Sequence, residues 1–193
     1  MDSNYQNFIS YLKNNEIRFE NNEEAKLVRF GYNIDMGTIE IVVDFEHEKR
    51  IGFFSFLNMT VTDDSKFPAL ELLNFFNESL NYGSIIISQN NQIVYKIMYS
   101  TFENLIKDEQ WAEIIFRLWS ISRDIYPLFG RLLFSKEQPK ELFEEFLRTK
   151  EKQHGIEPQP THPANQSHPV HPEEMKNPTT GFWRDFRDWY LQN

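Results

Sequence analysis

Three successive segments of alternating hydrophobicity constrain the fold of this chain more than any other feature. Apolar residues occupy nearly every second position in 27–34, 38–45 and 51–61. Such alternation is typical of strands with one face in a core, because successive side chains point to opposite sides of a sheet. Gly37 and the charged stretch 46–49 separate the segments and predict tight turns. The buried face is expected to contain Val28, Phe30, Tyr32, Ile34, Ile39, Ile41, Val43, Phe45, Ile51, Phe53, Leu57, Met59 and Val61.

Apolar residues also occur on the opposite side of these strands. Phe54 and Phe56 alternate with the inward residues, and Val42 and Tyr95 are expected to join them. A sheet covered by helices on one face is normally polar on the other. Two interpretations follow. Either the second face is an open surface for dimerisation or for a protein partner, or the long helix and residues 139–152 bury both faces.

The remaining elements are predicted from a 3.6-residue period and from turn signals. Asn90 and Asn91 tolerate positive φ and predict a hairpin between 84–89 and 92–100. Pro127 is expected to kink or split the third helix, because proline lacks an N–H. Asp64 or Ser65 is the expected cap of the second helix, and Gly83 its stop. The predicted helices are 2–14, 66–82, 103–134 and 139–152, and a short strand is predicted at 17–20. The stripe of the second helix reads Leu70, Leu73, Phe76, Asn77 and Leu80.

Composition excludes several classes of function. The chain has 193 residues, a formal charge of −9 and no cysteine. Phosphate neutralisation needs clustered Lys and Arg, so nucleic-acid binding is not expected, and binding to anionic membranes is disfavoured on the same ground. The lack of cysteine excludes disulfides, thiolate nucleophiles and cysteine zinc sites. The N-terminus lacks the pattern of a secretory signal, and we expect a cytoplasmic protein.

Signals of enzymatic chemistry are weak. The isolated glycines form no phosphate-binding loop, so no cofactor is expected. His47 could serve as a general base in a hydrolytic enzyme, but a solvated loop histidine explains it better. Asp63 and Asp64 could bind a hard cation, although acids at this position more commonly complement a helix dipole. Glu144 and Glu145 fit a solvated helix face. The protein is therefore not expected to be an enzyme.

The last forty residues differ in composition from the rest of the chain. Residues 153–180 contain many prolines and almost nothing apolar, which predicts a disordered linker. The linker carries His154, His162, His168 and His171. Imidazoles bind zinc, copper or nickel, but these histidines lack helical i, i+4 spacing, so no metal site is expected.

The terminal segment 181–193 predicts an amphipathic aromatic helix. On a helix, one continuous stripe would contain Phe182, Trp183, Phe186, Trp189 and Tyr190. Three interpretations remain open: docking on its own domain as a last structural helix, docking on another subunit or protein, and binding to a membrane surface. The candidate protein-binding site consists of this aromatic stripe together with Phe54 and Phe56 on the second face of the sheet.

The element order helix, strands, helix, hairpin, long helix resembles that of YbjN-type domains, also called the bacterial sensory-transduction regulator family. The resemblance is carried by LELLNFFNESLNYGSIIISQNNQIVYKIMYS and by RDIYPLFGRLLF in the helix that follows. It covers about two thirds of the chain. It implies an α+β domain with the fold of type III secretion chaperones: an antiparallel sheet with helices packed on one face. It also implies a protein-binding, non-catalytic role, often as a homodimer.

These observations predict an α+β domain at 1–152, a linker at 153–180 and a helical motif at 181–193. The leading hypothesis is a cytoplasmic adaptor or chaperone-like protein whose partner is a protein client or a second copy. In it, the terminal helix docks in a groove of a partner or another subunit. The alternative is a cargo protein that its C-terminal peptide recruits to a larger scaffold.

Overall fold

The alternating segments form one six-stranded antiparallel sheet. A computed structural model describes residues 3–34, 37–47, 49–101 and 104–153. Their side chains are described as far as residue 150. The strand order is β1-β2-β3-β4-β6-β5, so β6 pairs with β4 and places β5 at the edge. The strands are β1 (Glu20–Asn22), β2 (Leu27–Ile34), β3 (Gly37–His47), β4 (Arg50–Thr60), β5 (Ser84–Ile87) and β6 (Gln92–Ser100). The short strand predicted at 17–20 is present as β1, but it begins three residues later, at Glu20.

The helices lie on one face of this sheet, as predicted. The strand residues in the main core all belong to one side: in a row across the sheet, Phe30 pairs with Ile41, Ile41 with Ser55, and Ser55 with Tyr95. The helices contribute the rest of this core. They are α1 (Asn4–Asn14), α2 (Asp63–Ser79), α3 (Asp108–Gly130) and α4 (Pro139–Gln153).

Polar side chains join α1 to the start of α3. The indole Nε1 of Trp111 donates a hydrogen bond to Asn7 Oδ1 at 2.6 Å. Asn4 Oδ1 accepts a hydrogen bond from the backbone N–H of Ile106 at 2.8 Å. The Trp111 ring lies 4.8 Å from that of Phe8, centroid to centroid, and both side chains are fully buried. The two helices are therefore fixed to each other by directional bonds as well as by packing.

Aromatic side chains join α2 to α4. Phe76 lies edge-on to Phe143 and Phe146, with ring centroids 5.3 and 5.0 Å away, and Phe143 stacks on Phe75 at 5.5 Å. Edge-to-face and offset arrangements are the favoured geometries of aromatic pairs. The α4 helix is thus part of the packed domain and covers α2, not the sheet.

A central arginine links α3 to α4. Arg131 donates to Glu137 at 2.6 Å and to Glu145 at 2.8 and 2.9 Å. These bonds raise the pKa of Arg131 above its usual value and lower the pKa of both carboxyls. Glu145 is exposed, as the sequence predicts, and its carboxylate also shares the Arg131 guanidinium with Glu137. Glu144 lies 3.9 Å from Lys140 on an exposed surface.

The boundaries of two helices differ from the prediction. The α2 helix is capped by Thr62, whose backbone N–H donates to Ser65 Oγ at 3.0 Å. It ends at Ser79, and Gly83 instead takes a φ of +71° in the turn before β5. The α3 helix continues through Pro127 to Gly130 and then widens into a π-helical turn, Arg131–Ser135. Proline therefore does not split the helix.

Candidate functional site

An apolar patch lies on the sheet face opposite the helices. The register places Val42 beside Phe54, Phe56 beside Val94, and Val94 beside Ile86. Adjacent strands are about 4.8 Å apart, so side chains opposite one another on the same face are in reach of contact. We call this surface the outer patch. It comprises Val42, Phe54, Phe56, Ile86, Val94 and Met98.

The centre of the outer patch is already packed. Val94 is only 2% exposed, yet it does not belong to the main core, which contains its sequence neighbours Ile93 and Tyr95. Its cross-strand neighbours Phe56 and Ile86 are half-buried. The side chains of the patch therefore cover one another, and they present a formed apolar surface with Met98, 44% exposed, at its margin.

A glycine shapes one side of the patch. A Cβ at Gly52 would lie 2.6 Å from Cε2 and 2.9 Å from Cζ of Phe54, and 3.6 Å from Cε of Met98. The ring of Phe54 therefore lies over the bare backbone of Gly52. A side chain at position 52 would therefore displace this ring.

Charged side chains border the patch. Arg29 and Glu40 form an ion pair at 2.7 Å on the β2–β3 side. Next to this pair an open groove of about 610 Å³ is lined by Arg18, Phe19 and Glu20 among others. Lys96 pairs with Phe54 in the register and places a cation within the patch. An apolar centre with a charged rim is the usual anatomy of a protein-binding surface.

The structure contradicts one of the two interpretations of the second face. The long helix and α4 belong to the layer on the inner face, so the prediction that both faces are buried is wrong. Phe54 and Phe56 lie outward, as predicted, but Tyr95 faces inward. Its hydroxyl donates to the carbonyl of Tyr82 at 2.8 Å, and burial raises its pKa to about 12. Sequence reasoning missed Ile86, Val94 and Met98, although alternation in 92–100 could have placed the last two.

The residues considered for chemistry are dispersed. His47 is exposed at the end of β3, and Asp63 and Asp64 lie in the first turn of α2, where they complement the helix dipole. Within the described ranges, no three His, Asp or Glu side chains form a group that could hold a metal ion. The structure therefore brings no predicted catalytic or metal-ligating residues together there.

The other candidate site residues lie outside the described residues. These are the aromatic stripe Phe182, Trp183, Phe186, Trp189 and Tyr190, and the linker histidines His154, His162, His168 and His171. Among the helices of residues 3–153, none has the length and apolar character needed to cross a bilayer.

Comparison with known proteins identifies the fold. No family model matches the sequence, and no curated protein matches it. A solved structure of YbjN from E. coli, described as a proposed transcription regulator, does match. It superposes with a TM-score of 0.51 at 15% sequence identity, over 66% of this chain and 92% of the YbjN chain. The mixed helix and antiparallel-sheet architecture agrees with that match, and the described domain therefore has a YbjN-like fold.

Proposed function

We propose that this protein is a non-enzymatic adaptor that binds a partner polypeptide on the outer patch. The observation that carries the proposal is the placement of apolar side chains, Phe54, Phe56 and Met98 among them, on the sheet face opposite all four helices. Contiguous exposed apolar surface with a polar rim marks interaction sites on soluble proteins.

The chemistry of the patch favours a protein partner over a small ligand. Small-molecule sites are concave and enclose most of their ligand, whereas the outer patch is a sheet surface with an already packed centre at Val94. Aromatic residues and methionine are enriched in protein interfaces. The groove beside Arg29 adds charged groups at one end and suits a polar segment of the same partner.

The terminal stripe supplies the second contact in this proposal. Phe182, Trp183 and Phe186 would dock as an amphipathic helix in a groove of the partner or of another subunit. If residues 153–180 form the linker predicted from the sequence, a flexible chain of that length would have a root-mean-square span of about 30 Å, and two weak contacts would then reinforce each other.

The experiment compares two matched substitutions in affinity purification from the native host. Phe56→Glu places a charge in the outer patch, and Phe67→Glu makes the same change on the solvent side of α2, where Phe67 is 77% exposed. Both variants are first checked for an unchanged melting transition. Partners lost with Phe56→Glu and kept with Phe67→Glu support the proposal. Partners kept with both would refute the outer patch as the binding surface.

A further inference from the structure

We infer that the outer patch is occupied in the free protein by the chain's own aromatic segment, residues 182–190. The inference rests on the proposed function, because it assigns a regulatory occupant to the same binding surface. In this arrangement the protein holds both of its binding elements against each other until a partner displaces them.

The dimensions of the two surfaces agree. From Val42 on β3 to Ile86 on β5 the patch crosses three strand spacings, or about 14 Å. The stripe runs from Phe182 to Tyr190, and the eight steps between them would cover about 12 Å on a helix. One helix laid across the strands would therefore cover the patch from end to end.

Charged side chains flank both surfaces. Around a helix with its aromatic stripe on the patch, Arg187 lies on one flank of the stripe and Asp185 on the other. The patch offers the cation Lys96 beside Phe54, and the carboxylates of Glu40 and Asp44 lie toward the β3 side. A helix laid across the strands points these two flanks along the strands, so Arg187 lies toward either Glu40 or Asp44, which stand two positions to either side of Val42 on β3.

The length of chain between the two surfaces makes docking within one molecule favourable. A domain of about 150 residues has a radius of gyration near 15 Å, so the far side of the sheet is within reach of a linker with a span of about 30 Å. Such a linker gives a local concentration of about 1 mM, and a segment with a dissociation constant of about 0.1 mM would then be docked about 90% of the time.

The test measures distances in the full chain with pairs of spin labels. Because the chain has no cysteine, two introduced cysteines are the only labelled positions. One pair joins Asn58→Cys, which borders the patch on β4, to Gln192→Cys. The control pair joins Glu71→Cys, exposed on α2 in the helix layer, to Gln192→Cys. We expect a narrow, short distance for the Asn58 pair and a longer one for the Glu71 pair.

Every other outcome overturns the inference. A broad distribution for both pairs shows that the segment is not docked, and a short distance to Glu71 shows that it docks on the helix layer. Loss of the Asn58 distance on dilution with unlabelled protein shows docking between two molecules. The double substitution Trp183→Ser and Trp189→Ser should broaden the distribution of distances for the Asn58 pair. It should also speed the peroxide oxidation of Met98 several-fold. An unchanged Met98 rate contradicts the inference.

The inference and the proposed function fail separately. A narrow Asn58 distance in a protein whose partners survive Phe56→Glu would refute the partner-binding role and leave the internal contact in place. Broad distance distributions for both label pairs, in a protein that loses its partners through Phe56→Glu, would refute the internal contact alone.

Discussion

The side-chain amide of Asn77 bonds both backbone groups of Ile85. Its Oδ1 accepts from the Ile85 N–H at 2.7 Å, and its Nδ2 donates to the Ile85 carbonyl at 2.9 Å. Ile85 lies on β5, the edge strand, so the amide occupies the place that a further strand would take. An exposed sheet edge is a template for aggregation. In this fold a helix residue blocks it.

Substituting Asn77→Ala should therefore destabilise the domain and expose its edge. A buried donor and acceptor left without partners cost about 1–3 kcal/mol each, and β5 would gain a free pairing surface. Denaturant unfolding and light scattering after mild heating would measure the two effects. Asn74→Ala, on the exposed side of the same helix, is the matched control and should behave like the wild type. Equal stability of both variants would contradict the prediction.

A buried hydroxyl pair links the sheet to α3. The Oγ atoms of Ser55 and Ser122 lie 2.6 Å apart, and both side chains are fully buried. Ser122→Ala should cost about 1–2 kcal/mol, because Ser55 loses a hydrogen-bond partner inside the core. Ser10→Ala, in which an exposed hydroxyl on α1 is lost, should change stability by less than about 0.5 kcal/mol. A measured loss for Ser122→Ala no larger than for Ser10→Ala would contradict this role.

Gly52→Ala should alter the outer patch without unfolding the domain. The new Cβ would meet the ring of Phe54 and not a backbone atom, so the ring can turn away while the strand pairing stays. We expect a small change in melting temperature and a clear loss of partner binding. Gly130→Ala is the control, because its Cβ would meet Met59 Cε at an ordinary 3.5 Å on the other side of the domain. Unimpaired partner binding by Gly52→Ala would weigh against the shape of the patch as a determinant.

Acid should weaken the junction between α3 and α4. The hydrogen bonds from Arg131 hold the pKa of Glu137 and Glu145 below the ordinary value of 4.5. A carboxyl with a lowered pKa in the folded state stabilises above its unfolded pKa, and this contribution is lost as the pH falls through the folded value. The melting temperatures of wild type and Arg131→Met should therefore differ by a constant amount well above pH 4.5 and converge as the pH falls below that value. A difference that persists undiminished at low pH would contradict this coupling.

The strands could be predicted because their inward positions are almost all apolar. In 38–45 each inward residue of β3 is a large hydrophobe, and the Asn90–Asn91 hairpin forms with Asn91 at a φ of +58°, as its turn chemistry predicts. Period and turn residues are local signals, and they are sufficient for elements of this kind.

The polar residues within apolar patterns could not be interpreted in the same way. Asn77 belongs to the predicted stripe of α2, and Ser55 lies between the inward residues Phe53 and Leu57. A polar residue at an inward position indicates a buried hydrogen bond, but the sequence does not identify the partners, Ile85 and Ser122, because they belong to other elements. Leu70 fits the period of α2 and is nevertheless 42% exposed, because the direction of a helix face depends on its neighbours.

The residues that face outward within one strand were predictable, but the strands that bring their outward residues together were not. Outward Phe54 and Phe56 follow from alternation, whereas Val94 and Ile86 join them only because β6 pairs with β4 rather than with a sequential neighbour. A pairing across about forty residues is a tertiary property, and no local pattern specifies it.

The pairing of β4 with β6 determines when the outer patch forms during folding. Val42, Phe54 and Phe56 belong to a meander of consecutive strands, whereas Val94, Ile86 and Met98 belong to a later hairpin. Contacts between segments that are distant in sequence form late in folding, because closing the intervening loop costs conformational entropy. The seam between β4 and β6 joins the two halves, so the outer patch is continuous only after these two strands have paired. A partner that requires both halves would thus discriminate finished molecules from nascent ones.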